Sequence, residues 1–143
     1  MTSLALSPLT PALPRARWRV VERLCRSEIR RCRDTIFLFE DTQFHPVMAG
    51  QAREARGEVN AVAIPVKRCP GRLEESFWSD QELPANRCAI DAALEVVEAV
   101  VRMGRQVVVP RDFGAGGELR RRAPLTAAYL NQRLEELRTL AGG

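Results

Sequence analysis

Three short apolar runs, unbroken by polar residues, constrain this chain most: Thr35 to Phe39 (TIFLF), Asn60 to Ile64 (NAVAI) and Gln106 to Val109 (QVVV). A strand with one wet face alternates apolar and polar side chains, whereas a continuous run suits a strand covered on both faces. Pro65 and Pro110 follow two of the runs. Proline has no N–H for a sheet ladder, so each is expected to end its strand where the chain leaves the sheet. A further strand is expected around residues 17–23, although Trp18, Val20 and Leu24 alternate imperfectly.

Helical patterns lie between the runs. Ile90, Ala93, Leu94, Val97, Val100 and Val101 make a wide apolar stripe, with Glu98 and Arg102 as an i,i+4 pair on the other face. Gly104 suits the position just past that helix. Pro124 suits the first turn of a last helix, with Ala127, Leu130, Leu134 and Leu137 as its buried stripe. Shorter helices are expected at residues 26–33 and 49–56. Strands alternating with helices require crossover connections, which implies a mainly parallel sheet in a three-layer α/β/α fold. The expected organisation is an extended arm over residues 1–16, broken by Pro8, Pro11 and Pro14, then a single α/β domain over 17–143.

Composition excludes several classes. With 45% hydrophobic and 28% charged residues the chain can bury a core, and no apolar run approaches the roughly 20 residues that cross a bilayer. The N-terminus has no basic stretch ahead of an apolar one, so no signal peptide is expected. Cys25, Cys32, Cys69 and Cys88 include no CxxC pair and His45 is the only histidine, so neither a metal site nor a disulfide framework is expected. Reduced thiols and a cytoplasmic location follow. Residues 1–33 hold eight arginines against Glu22 and Glu28, whereas the whole chain carries +4, so the basic excess is local. Such a cluster reads either as a phosphate-binding patch, through Arg26, Arg30 and Arg31, or as a solvated helix face.

In open parallel sheets, ligands bind beyond the carboxyl ends of the strands. That rule singles out residues 40–50, 65–83 and 110–122. Two of these loops carry glycines ahead of an expected helix: Gly50 in the first, and Gly114, Gly116 and Gly117 in the last. Glycines there let backbone N–H groups approach an anion closely.

Taken together, segments 36–41, 49–52, 59–67, the Phe77–Asp80 patch and 107–137 resemble a family of small, largely uncharacterised bacterial and phage proteins. That family shows Phe-Gly-Asp-Asn, Gly-Gly-Gln-Ala, Pro-Asn-Ala-x-Gly-Ile-Pro-Thr-Lys and Gly-Ile-Gly-Thr-Gly motifs in this order. The resemblance spans about residues 18–140, and it implies in turn a distant likeness to macrodomain-type folds, which hold ADP-ribose or related nucleotides. It departs from the pattern at Glu40 (glycine in the family), Thr42 (asparagine), 45–48 (small glycines) and Val66 (threonine). A carboxylate such as Glu40 beside a phosphate would repel it.

The leading expectation is therefore a small-ligand-binding module for a nucleotide or ADP-ribose-type phosphate ester. Gly50, Gly114, Gly116 and Gly117 would offer backbone N–H groups, and Asp41, Gln51 and Lys67 would orient the ligand. Each has a plainer alternative: Asp41 as a turn cap, Gln51 as a first-turn residue, Lys67 as a solvated loop residue. Phe77 and Trp78 read as a packing anchor or a stacking lid, and 120–122 as a helix start or an anion site. No catalytic residue, cofactor or metal is assigned. The other reading is a degenerate, non-catalytic domain that acts as a protein-interaction or nucleic-acid-binding subunit through the arginine-rich segment.

Overall fold

The structure, a computed structural model, describes residues 17–44, 50–111 and 117–142. Four strands form one all-parallel sheet: β1 (Trp18–Val21), β2 (Ile36–Thr42), β3 (Ala61–Lys67) and β4 (Val107–Pro110), in the order β1-β4-β2-β3. Five helices accompany it: α1 (Arg26–Arg31), α2 (Gly50–Ala55), α3 (Leu83–Arg102), α4 (Gly117–Arg122) and α5 (Pro124–Leu140). The expected α/β/α architecture is the one found. The expected arm over residues 1–16 lies outside the described residues.

The unbroken apolar runs follow from the layers. Ile36 and Leu38 of β2 and Val107 and Val109 of β4 face a core shared with Ile90, Leu94 and Val97 of α3 and Leu130 of α5. Phe37, Phe39 and Val108 point the other way, onto Ile29 of α1 and Ala52 and Ala55 of α2. Successive side chains of a strand alternate faces, so a strand buried on both must be apolar throughout. The stripe on α3 is buried as its spacing predicts, Arg102 bonds Glu98 at 3.3 Å, and Gly104 takes the left-handed φ of +81° just past the helix end.

The expected place of the second run is corrected. The unbroken apolar character of residues 61–64 suggests a central strand, yet β3 lies at the edge of the sheet and only Ile64 on it is buried. Pro65 does not end it either, since β3 runs on to Lys67 with Pro65 opposite Asp41. The two facts share a cause. An edge strand has one side without a sheet partner, and there the missing proline N–H breaks no ladder.

Candidate functional site at the carboxyl ends of the strands

The topology creates a crevice. From β2 the chain passes to α2 on one face of the sheet, and from β4 to α4 and α5 on the other. β2 and β4 are neighbours, but among the described residues their ladder extends only over Ile36–Val107 and Phe37–Val108. Beyond it, β2 pairs with β3 through to Thr42, while β4 pairs with β1 through to Pro110. Neighbouring strands whose connections leave to opposite faces mark a topological switch point.

Beside it lies a cavity of about 390 Å³, lined by Glu40, Asp41, Thr42, Ala52, Val66 and Lys67 among others. Asp41 is buried and pairs with Arg56 at 2.6 Å; the same Oδ1 accepts the Thr42 N–H at 2.8 Å. Arg56 also lies over the Phe39 ring, 5.6 Å from its centroid. The Lys67 ammonium donates to the Gly71 carbonyl and sits 4.4 Å from the Phe77 ring centre. Among the described residues no carboxylate forms an ion pair with Lys67, and the carboxylates that line the same cavity are Glu40 and Asp41. Gln51 is turned elsewhere: its Oε1 accepts the Leu24 N–H. Gly50 and Gly117 begin α2 and α4. Gly114, Gly116 and His45 lie outside the described residues.

Residues 19–133 match a family of unknown function, DUF7831, and the match takes in β2, β3, β4, most of β1 and the described lining of this cavity. The chain belongs to DUF7831. No curated protein and no solved structure matches it. DUF7831 membership thus comes with no activity attached, and the chemistry must be read from the residues.

In this DUF7831 chain the long connection after β3 is pinned from several sides. Trp78 is buried in the core and its indole N–H donates to Gln43 Oε1 at 3.1 Å, which ties the connection to the segment following β2. Phe77 lies between two cations, Lys67 and Arg122, the latter 4.0 Å from the ring centre. Asp80 reaches across to α5, where Oδ2 accepts the Leu125 N–H at 2.8 Å and Oδ1 the Thr126 N–H at 2.9 Å. Partial burial pushes the Asp80 carboxyl up, but these bonds outweigh it and hold the group below its ordinary value. Trp78 is a packing anchor here. The aromatic pair at 77–78 was the signal in the sequence, and Asp80 stood out only as the end of that patch; nothing marked Gln43 or Arg56.

Of the seven described arginines in the arginine-rich segment, four are ion-paired within the fold, Arg19 with Glu28 and three others with one carboxylate. Glu58, whose side chain is 5% exposed, receives Arg26, Arg30 (3.0 Å) and Arg33 (3.1 Å). Burial pushes the Glu58 carboxyl up, and hydrogen bonds from Arg30, Arg26 and Arg33 overcome this to leave it below the usual glutamate value. Arg26 also donates to the carbonyls of Arg53 and Arg56, closing α1 onto the end of α2. Of the three arginines of the nucleic-acid reading, Arg26 and Arg30 are therefore committed to Glu58. Arg31 is exposed and has no partner among the described residues.

No group of three or more His, Cys, Asp or Glu that could hold a metal occurs among the described residues, and the four cysteines are free thiols. No described helix is long and apolar enough to cross a membrane.

Proposed function

We propose that this DUF7831 chain is a small-ligand-binding module of macrodomain-like architecture, taking a nucleotide or ADP-ribose-type phosphate ester at the carboxyl ends of β2, β3 and β4. The switch point between β2 and β4 carries the reading, because the loops that flank it, after Thr42 and after Pro110, are those with glycines before a helix. Lys67 supplies the positive charge at a cavity wall that also carries the carboxylates of Glu40 and Asp41, the latter neutralised by Arg56. Asp41 accepts its bonds through Oδ1, which leaves Oδ2 for a ligand hydroxyl or amine, while Arg56 holds the carboxylate in place. Gln51 belongs to the scaffold in this reading, since its carbonyl serves Leu24. The proposal is one of binding, with no reacting group assigned.

A thermal-shift screen against ADP-ribose, NAD, ATP and cyclic nucleotides tests it. A ligand at 100 times its Kd stabilises a fold by about 2.7 kcal/mol, which moves the melt visibly. The expected result is a shift with at least one of these ligands that is reduced in Lys67→Gln. Equal shifts for parent and variant would place the ligand elsewhere.

A further inference from the structure

A second, larger cleft lies at the opposite end of the strands, where Thr35 leads into β2 and Gln106 into β4. It encloses about 770 Å³ and is lined by four guanidinium groups, from Arg19, Arg31, Arg33 and Arg105, against one carboxylate, Asp34. A fifth, on Arg17, lies 4.0 Å from the point where a Cβ on Gly104 would stand, and Gly104 also lines the cleft.

What matters is how these charges are held. Arg105 donates from Nε to the Asp34 carbonyl and from Nη2 to the Arg33 carbonyl, both at 2.9 Å. Its acceptors are neutral, so the guanidinium is fixed in place while its charge stays uncancelled. A cation already immobilised loses little side-chain entropy when a ligand arrives. Arg31 has no internal partner among the described residues. Arg19 shares its charge with Glu28 at 3.3 Å, a half-exposed pair of small energetic weight, and Arg33 is one of three arginines on Glu58. Among the described residues no aromatic side chain lines the cleft, so they offer nothing on which a base would stack. Planar guanidinium forks match phosphate oxygens in pairs, and a volume of this size suits a small ligand or a few linked units.

We propose that this amino-end cleft binds a chain of linked phosphate groups through Arg31 and Arg105, with Arg19 at its mouth. The phosphodiester backbone of a single-stranded nucleic acid and a free polyphosphate share this chemistry. The cleft recognises phosphate without reading bases. This site is separate from the carboxyl-end cavity and does not depend on the reading given to it.

Fluorescence anisotropy of the full chain tests it, with a labelled oligothymidylate of about 12 nucleotides at about 50 mM salt, and inorganic tripolyphosphate as competitor and as direct titrant. Binding should weaken on the order of tenfold in Arg31→Gln and in Arg105→Gln, the loss of one charge-assisted contact. For the oligonucleotide the salt dependence should become shallower by about 0.7 in log–log slope. Arg31→Gln removes no internal bond, so it remains informative if Arg105→Gln fails to fold. Arg120→Gln, at an exposed arginine on α4 without a partner among the described residues, should bind as the parent does. Dependence on Arg31 with either probe supports the site, and the tighter probe names the source. Absence of binding by both probes, or an equal loss in Arg120→Gln, would overturn it.

Discussion

Asn60 does more than its place at the start of an apolar run suggests. It is 2% exposed, and the two N–H of its side-chain amide are shared among the carbonyls of Ile29 (2.9 Å), Cys32 (3.0 Å) and Thr35 (3.1 Å). Its own carbonyl accepts from Arg33 at 2.8 Å. One side chain thereby satisfies the end of α1 and the turn into β2. Asn60→Ala would leave buried carbonyls without donors and should cost about 2–3 kcal/mol. Urea denaturation checks this, and a loss below about half a kcal/mol would mean that water or a shifted backbone takes over the role. Neither Asn60 nor Glu58 could be recognised in the sequence as a hub. Their partners are backbone carbonyls and arginines 25 or more residues away, and a tally of charge along the chain counts Arg26, Arg30 and Arg33 as surplus when the fold matches them. Lys67 stands out in the sequence as the single lysine among many arginines, and the fold puts it on the wall of the carboxyl-end cavity.

Helix α5 shows how an element can be specified in two pieces. Pro124 opens it as expected, but Ala123 at the N-cap has no side chain to offer the first N–H groups. Asp80, more than forty residues earlier in the chain, supplies that cap. Its carboxylate also accepts the Thr126 hydroxyl at 2.8 Å, and Thr126 in turn accepts from buried Asn86 on α3 at 3.1 Å. Asp80→Ala should lose about 1–2 kcal/mol at neutral pH, the usual worth of a good cap. The carboxyl is held below its unfolded value of 3.8, so this stabilisation is present above that pH and fades as pH falls through the folded value. Parent and variant should therefore differ in urea midpoint at about pH 6 and converge as pH falls below the ordinary aspartate range; a gap that stays constant would show that the cap works through packing alone. The apolar stripes were readable because their period is local. Val97 and Leu130 are fully buried, and Leu130→Ala should cost about 2–4 kcal/mol with Val97→Ala somewhat less. Denaturant melts that barely move for either would show that the core collapses around the lost methyl groups.

At the scale of the whole molecule, fold class was legible in the sequence and strand order was not. Unbroken apolar runs report burial on two faces, and alternating helices report parallel connections, but neither carries the spatial order β1-β4-β2-β3. Nor do they show that β3, apolar over residues 61–64, would lie at the edge. That order puts the switch point between β2 and β4 and brings the loops after Thr42 and Pro110 to the same end of the sheet as Lys67. It also makes a second, arginine-lined end at the start of the same strands, which a search of carboxyl-end loops passes over. The central claim is that a nucleotide-type ligand sits at the carboxyl ends, and amide hydrogen exchange tests it most directly. Exchange is followed across the chain, with and without saturating amounts of whichever nucleotide most raises the melting temperature. Protection concentrated at residues 40–44, 65–71 and 110–117 is the predicted result; no stabilising nucleotide, or protection confined to the amino-end residues 31–35 and 104–106, would contradict it.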